Sequence, residues 1–251
     1  MKPIAIVSAM HDELSNLLAL MPDEHKQTRA GREFWLGHLH GHDVVLVLSG
    51  IGKVAAATTA TLLIEHFNVT HIVFTGVAGG LGKGVSVGDI VLADQFLQHD
   101  LDVSPLFPRY EIPGYGTSTL QPDSNLASDL KQACIQVLHD LTHVLGQDAI
   151  ISFGLDQPRL HQGLLISGDR FVSTTAESQK LQQDLPTALA VEMESAAFAQ
   201  VCHDYGIPFA AVRTISDRAD NEATVDFNRF LSQVASHYSA SIVDKWLLKR
   251  N

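Results

Sequence analysis

The sequence predicts an α/β fold in a single domain, a mixed, mostly parallel β-sheet flanked by helices on both faces. Three observations carry this expectation. Short apolar runs recur along the 251 residues, as in strands buried on both faces. Stretches of helical periodicity alternate with them, the order expected of α/β layers. No internal repeat, linker or break in composition divides the chain, and α/β folds of this length are commonly single.

The elements follow in order. Residues 4–8 form a first apolar strand, and Leu14, Leu17, Leu18 and Leu20 then give a helical stripe. Glu13 therefore stands at a strand's carboxyl end, in the first turn of a helix. Ligands of open α/β sheets gather at that edge, although an acid there also complements the helix dipole. Residues 34–39 and 44–48 read as two strands joined by a turn at Gly41-His42-Asp43. Ser49-Gly50-Ile51-Gly52-Lys53 leads into a helix over 54–67. Its glycines permit close approach of backbone to a ligand, and its spacing is neither a Walker loop nor GxGxxG. Residues 71–75 form a strand that ends in an open loop, Gly76-Val77-Ala78-Gly79-Gly80-Leu81-Gly82, with no Lys or Arg inside it. Gly88-Asp89 turns into the next strand.

From 99 to 116 the chain is irregular, with Pro105, Pro108 and Pro113 among Leu106, Phe107, Tyr110 and Tyr115. Apolar side chains on a proline-fixed loop point to a lid or a subunit contact. An amphipathic helix over 127–138 follows. Residues 149–153 are expected as a strand and 155–162 as a surface insertion. A strand over 164–169, a helix over 176–185, a helical segment over 196–202 and a buried strand over 209–217 complete the order. The last helix is expected from about Asp226 to Lys249.

A formal net charge of −11 argues against nucleic acid or an anionic membrane as partner, since both call for basic patches. The 13 histidines read as surface and packing residues, and neither metal nor cofactor is expected. Cys134 and Cys202 stand in helical segments and suit reduced, buried thiols better than a disulfide framework. The N-terminal apolar run is too short and too soon charged for a signal peptide, and no stretch has the length of a membrane span. The protein is expected to be soluble and cytoplasmic.

Val191-Glu192-Met193-Glu194-Ser195 sets two carboxylates among apolar neighbours, where acids are rare unless paired or functional. Either can cap a helix or face a ligand; two apart, they share a face in extended chain and diverge on a helix. Glu13, Glu194 and Asp217 each lie where a strand ends or hands over to a helix, so neighbouring strands would bring them into one pocket. Converging acids with no metal ligands, Ser–His pair or cofactor fingerprint suggest acid–base hydrolysis, with glycoside cleavage through an oxocarbenium-like state as the analogue.

Four stretches taken together carry a resemblance: Ala9-Met10 with Glu13, Ser49-Gly50-Ile51-Gly52-Lys53, Val191-Glu192-Met193-Glu194, and Arg213-Thr214-Ile215-Ser216-Asp217. With Gly88-Asp89-Ile90-Val91 and Ser167-Gly168-Asp169-Arg170-Phe171, the chain resembles the 5′-methylthioadenosine/S-adenosylhomocysteine nucleosidase family of the nucleoside phosphorylase superfamily. The match runs in order over nearly the whole chain and implies a nucleoside phosphorylase-like three-layer α/β/α fold. It also implies hydrolysis of the N-glycosidic bond of methylthioadenosine and S-adenosylhomocysteine, with 5′-deoxyadenosine as a further substrate.

Carried over by position, the resemblance makes Asp217 the proton donor to adenine N7, with Ser216 holding its carboxyl. Glu13 activates water and Glu194 holds the ribose hydroxyls over Met193. Phe171 stacks on adenine and the Val172 backbone pairs with its edge, while Ala78 and Gly79 join the substrate-binding set. Met10, Ile51 and Phe227 match the apolar alkylthio pocket. Val103 and Phe107, or Leu106 in place of Phe107, come from a second subunit of a homodimer. Val77 departs from a serine found in some members, and the stretch from about 140 to 163 is extra length.

A phosphorylase of the same fold needs phosphate-binding groups where this chain has Phe74 and Val77, neither of which binds an oxyanion. Futalosine-type nucleosides, such as aminodeoxyfutalosine, are an alternative substrate class. A non-catalytic nucleoside-binding protein is a third reading, which predicts loss of an acid that is in fact present.

Overall fold

The computed structural model describes residues 2–220 and 227–250. Its strands are β1 (Ile4–Ser8), β2 (His25–Arg29), β3 (Arg32–Leu39), β4 (His42–Leu48), β5 (Ile72–Gly80), β6 (Ile90–Gln98), β7 (Leu160–Ser167), β8 (Ala188–Glu192) and β9 (Phe209–Asp217). Helices α1 (His11–Leu18), α2 (Lys53–Glu65), α3 (Ser124–His139), α4 (Leu141–Leu145), α5 (Gln147–Phe153), α6 (Thr175–Asp184) and α7 (Ser195–Tyr205) lie between them. After β9 come α8 (Phe227–Phe230), a π-helical turn (Leu231–Ala235) and α9 (Ser236–Leu248).

The described strands form one nine-stranded sheet in the order β2-β3-β4-β1-β5-β8-β7-β6-β9, and β9 also pairs with β5. The ring β5-β8-β7-β6-β9 is therefore closed, and β4, β1 and the β2–β3 hairpin extend from it as an open sheet. Two parallel blocks meet in this arrangement. β4, β1, β5 and β9 run one way; β8, β7 and β6 run the other, joined to the first block by antiparallel pairs.

Strand side chains alternate between faces, and the sequence supplies apolar residues for both. Ile6, Leu46 and Val212 face Leu14 and Leu17 of α1, Leu130 and Val137 of α3, and Ile242 and Trp246 of α9. Val7, Val45, Phe74 and Ile215 face Ala56, Ala60 and Leu63 of α2 and Ala196, Phe198 and Cys202 of α7. Each such large side chain withdrawn from water contributes on the order of 1.5–3 kcal/mol. Alanines on α2 and α7 let that layer lie close to the sheet. Cys134 and Cys202 are buried and free.

Several expectations are corrected. The glycine-rich stretch is not a loop, because β5 continues through it to Gly80. Residues 149–153 are helical, within α5, which Gly146 (φ 75°) and the left-handed Gly154 (φ 61°) bound. Ala149 and Ile150 supply its buried side. Residues 155–162 are a surface insertion only in part: 156–159 lie at the surface, but Leu155 is only 2% exposed and Leu160 already opens β7. The β3–β4 turn centres on His40 and Gly41, both at positive φ, so His42 and Asp43 belong to β4 rather than to the turn. β2 was not expected, since His-Lys-Gln-Thr-Arg carries no apolar alternation. Asp226, where the last helix is expected to begin, lies outside the described residues.

Among the described residues, no helix is long and apolar enough to cross a membrane. His38 and His42, and likewise His139 and His143, stand four apart in sequence. Even so, no group of three or more His, Cys, Asp or Glu side chains among the described residues is placed to hold a metal ion.

Candidate active site

β1, β4, β5 and β9 are parallel, so their carboxyl ends share one edge, and the segments that follow them share it too. β8 arrives from the opposite direction, but Gly79 of β5 pairs with Val191 of β8 and with Asp217 of β9. A register shift between Ala78 and Gly79 sits at this junction. Its geometry brings the end of β8 to the ends of β5 and β9.

The pocket there has an empty volume of about 730 Å³, open mouth included. Met10, Ile51 and Phe227 line it together with Ala78 and Gly79. Phe171, Val172, Met193, Glu194, Ser216 and Asp217 are also on its walls, whereas Glu13, wholly buried, is not among its lining residues. Val77, Arg170 and Glu192 also line it, though none of them was expected in a binding role. Val103 and Phe107 do not line this pocket; both are half-buried on the 99–119 loop, beside Leu106, which is 83% exposed. Phe171 and Phe227 meet edge to face at 6.4 Å.

The two glutamates of the Glu-Met-Glu stretch divide as the junction requires. Glu192 is the structural one. Its carboxylate accepts from the backbone N–H of Ser195 at 3.0 Å and of Glu194 at 3.2 Å, so it satisfies the amino end of α7. It also accepts from the hydroxyls of Ser195 and Ser167, and it pairs with Arg213 Nη2 at 2.8 Å. Arg213, buried to 1% exposure, donates further to the carbonyl oxygens of Phe74 and Val212 and lies 4.0 Å over the Phe74 ring. A buried charge is tolerated only when paired and hydrogen-bonded in this way. The arginine, Ser195 and Ser167 were missed as partners; only the oddity of an arginine within an apolar strand signalled them.

Glu194 does not cap its own helix. It accepts at Oε1 from the Gly52 N–H at 2.9 Å, where Gly52 has φ 91° and so favours glycine. Burial first, and then the neighbouring Glu192 charge, raise its pKa.

Glu13 is the third residue of α1 and accepts at Oε2 from the Met10 N–H at 3.1 Å. Its Oε1 is buried with no hydrogen-bond partner among the described residues. Burial pushes its pKa up to about 7, against smaller opposing contributions from the Met10 N–H and Arg213.

Asp217 ends β9. Ser216 Oγ donates to its Oδ2 at 2.8 Å, and the Ala219 N–H donates to Oδ1 at 2.7 Å. Both bonds favour the carboxylate, yet burial outweighs them and raises the pKa. Buried acids with raised pKa values around one apolar pocket are the equipment of proton transfer. Arg170 is the only cation lining the described pocket, and it is ion-paired with Glu177.

Residues 3–247 match the model of the phosphorylase superfamily. The 5′-methylthioadenosine/S-adenosylhomocysteine nucleosidase of Shewanella frigidimarina is 35% identical over 242 residues, 96% of each chain. That of Shewanella loihica is 36% identical over the same shares. Among solved structures, the nucleosidase of Neisseria meningitidis in complex with methylthio-immucillin-A superposes with a TM-score of 0.85 at 32% identity, covering 99% of this chain and 100% of that one. A futalosine hydrolase of Helicobacter pylori superposes with a TM-score of 0.84 at 30% identity, covering 99% and 98%.

Proposed function

Since the chain belongs to the 5′-methylthioadenosine/S-adenosylhomocysteine nucleosidases of the phosphorylase superfamily and is thus an N-ribosyl hydrolase, we propose that it hydrolyses methylthioadenosine and S-adenosylhomocysteine to adenine and the 5-substituted ribose. The observation that carries this reading is a pair of buried acids, Asp217 and Glu194, on the wall of an otherwise mainly apolar pocket. Adenine is a poor leaving group until protonated, and Asp217, its pKa raised by burial, is a suitable acid for N7. Ser216 holds the carboxyl in one orientation.

As the N-glycosidic bond breaks, positive charge grows on the sugar and a water must meet it. Glu13 is the base for that water. Its pKa near 7 suits a general base at neutral pH, and its unpartnered Oε1 has an acceptor site left for the water. Glu194 takes the ribose hydroxyls with Met193 packed beneath the sugar, and its negative charge stabilises the oxocarbenium-like state. Adenine lies against Phe171, with the Val172 backbone at its edge and Ala78 and Gly79 leaving room beside it.

Met10, Ile51 and Phe227 form the apolar end for the 5′-thio substituent. That apolar end also supports 5′-deoxyadenosine as a substrate. The active unit in this reading is a homodimer, with Val103 and Phe107 of a second copy closing the 5′ side. The exposure of Ile51 (64%), Val54 (79%) and Leu106 (83%) supports a covering partner. Two buried free thiols suit a reducing cytoplasm.

Phosphorolysis is disfavoured because Phe74 packs under Arg213 and Val77 lines the pocket, where a phosphate would need charge or a hydroxyl. Adenine release measured with and without phosphate tests this. Equal rates are expected, and a strict phosphate requirement would sink the hydrolase reading. The likeness to a futalosine hydrolase supports a second reading, in which aminodeoxyfutalosine is the better substrate. Rates measured side by side on it and on methylthioadenosine decide between the two.

A further inference from the structure

The opposite edge of the sheet carries a pocket whose chemistry is unlike the rest of this acidic chain. β1, β4 and β5 are parallel, so the residues at their amino ends come together there, far along the strands from Glu13 and Asp217. Lys2 precedes β1, His42 opens β4 and His71 precedes β5. With Thr70, Asp43 and Arg250, which follows α9, they line a pocket of about 520 Å³, open mouth included. Two cations and two imidazoles around one small pocket are a marked local excess in a chain of net charge −11.

Other groups there are already engaged. Asp43 is engaged by His38 Nε2 at 3.0 Å, an imidazole it shares with Asp23. Arg250 reaches Asp129 at 3.2 Å, an exposed pair that contributes little, and its guanidinium also lies 5.5 Å from the Trp246 ring centre. The imidazoles differ. Nε2 of His42 and Nε2 of His71 are both buried, and neither has a hydrogen-bond partner among the described residues. Buried polar atoms are nearly always hydrogen-bonded. Burial, Arg250 and His42 also hold the His71 pKa down, with the Thr70 backbone and Asp123 opposing them.

A metal ion would not relieve this arrangement, because Arg250 and Lys2 repel it. An anion would. It accepts from an Nε2–H of each ring, and it takes the planar donor fork of Arg250, which matches phosphate geometry.

We propose that this pocket binds a small oxyanion of the phosphate type, with Arg250, His42 and His71 as donors and Lys2 at the mouth. The source is free phosphate or a small phosphomonoester. The site is separate from the nucleoside pocket and does not depend on the reading of that pocket. Binding favours the protonated form of His71, which faces Lys2, His42, Arg250, Asp43 and Asp123, so affinity rises as pH falls.

The test is a titration of the histidine-labelled full chain with inorganic phosphate, followed by NMR of the ring resonances. It is run below and above the usual histidine pKa of about 6.5. Saturable shifts of His42 and His71 are expected, with tighter binding at the lower pH. Removing one charge-assisted donor by Arg250→Gln or His71→Gln should weaken binding about tenfold or more, while adenine release stays at the wild-type rate. Glycerol phosphate in place of phosphate identifies the source. Tighter binding points to phosphomonoesters and weaker binding to free phosphate, and either ranking upholds the site. Shifts that chloride reproduces at equal ionic strength would overturn the proposal, as would unchanged affinity in the variants. Arg250 is at the exposed end of the chain, so its variant keeps the test decisive if His71→Gln does not fold.

Discussion

At the scale of single residues, burial raises the pKa of both Asp217 and Glu13, and their two roles can be separated. Asp217 keeps two donors, from Ser216 and Ala219, and an asparagine keeps nearly the same shape without the proton. Asp217→Asn is expected to bind a non-hydrolysable adenine nucleoside almost as the wild type does, and to lose adenine release by about 10²–10⁴-fold. Calorimetry and a coupled adenine assay check the two halves, and surviving turnover would remove Asp217 as the acid. Glu13 is fully buried with its pKa pushed up to about 7 from 4.5. Its folded pKa lies above the unfolded one, so the folded state is the better proton binder between those values. The contribution of Glu13 to stability is therefore greatest below about 4.5 and is lost as pH rises through 7. Glu13→Gln carries no charge to bury. Its gain over the wild type should be near zero at the acid end and grow to as much as about 3 kcal/mol above pH 7, while hydrolysis is lost. Urea unfolding across this pH range measures it; a gain that is the same at every pH would show that ionisation of Glu13 is not the cause.

At the scale of elements, the junction of β5, β8 and β9 depends on what a glycine leaves out. A Cβ on Gly79 would stand 2.9 Å from the Ala219 Cβ and 3.0 Å from Asp217 Oδ1. Gly79→Ala should therefore shift Asp217 and lower kcat by about 10²-fold while the chain still folds; unchanged kcat would show that the contact is not limiting. These glycines explain a misreading. From sequence, residues 76–82 look like a loop because glycine is scarce in strands. Here the glycines instead admit Arg213 beside Gly76 and Asp217 beside Gly79, and neither neighbour is local in sequence. The exposed edge strand β2 was illegible for a related reason, since a strand with almost nothing buried leaves no apolar alternation. Residues 149–153 were ambiguous because a short apolar run fits either element; the glycines at 146 and 154 were the better guide. By contrast, the strand ends near Glu13 and Asp217 were legible from the apolar runs before them; Asp217 closes such a run, whereas Glu13 alone reads equally as an acid complementing the helix dipole. The Glu192–Arg213 pair ties β8 to β9. Removing one partner leaves a buried charge, so Glu192→Met should cost about 3–5 kcal/mol and Glu192→Met with Arg213→Met much less. Denaturant unfolding of the two proteins compares them, and additive losses would refute the pairing argument.

At the scale of the whole molecule, the pocket opens where large apolar side chains meet water. Ile51 lies both on its wall and at the surface, Val54 follows on the first turn of α2, and Leu106 stands on the proline-rich loop. Scattered exposed apolar residues are ordinary, but large ones as exposed as Val54 and Leu106, with Ile51 on the pocket wall, favour a covered surface. A net charge of −11 works against self-association at low salt, so apolar burial must supply the attraction. The proposed dimer then links assembly to catalysis, because Val103 and Phe107 are away from their own chain's pocket and are left to serve another. Leu106→Asp and Val54→Asp should each shift sedimentation toward monomer, more strongly as salt is lowered. They should also raise KM for methylthioadenosine more than they lower kcat, since the acids are untouched and only the 5′ wall is lost. A wild-type chain that sediments as a monomer at assay concentration with full turnover would rule out completion of the site by a second copy.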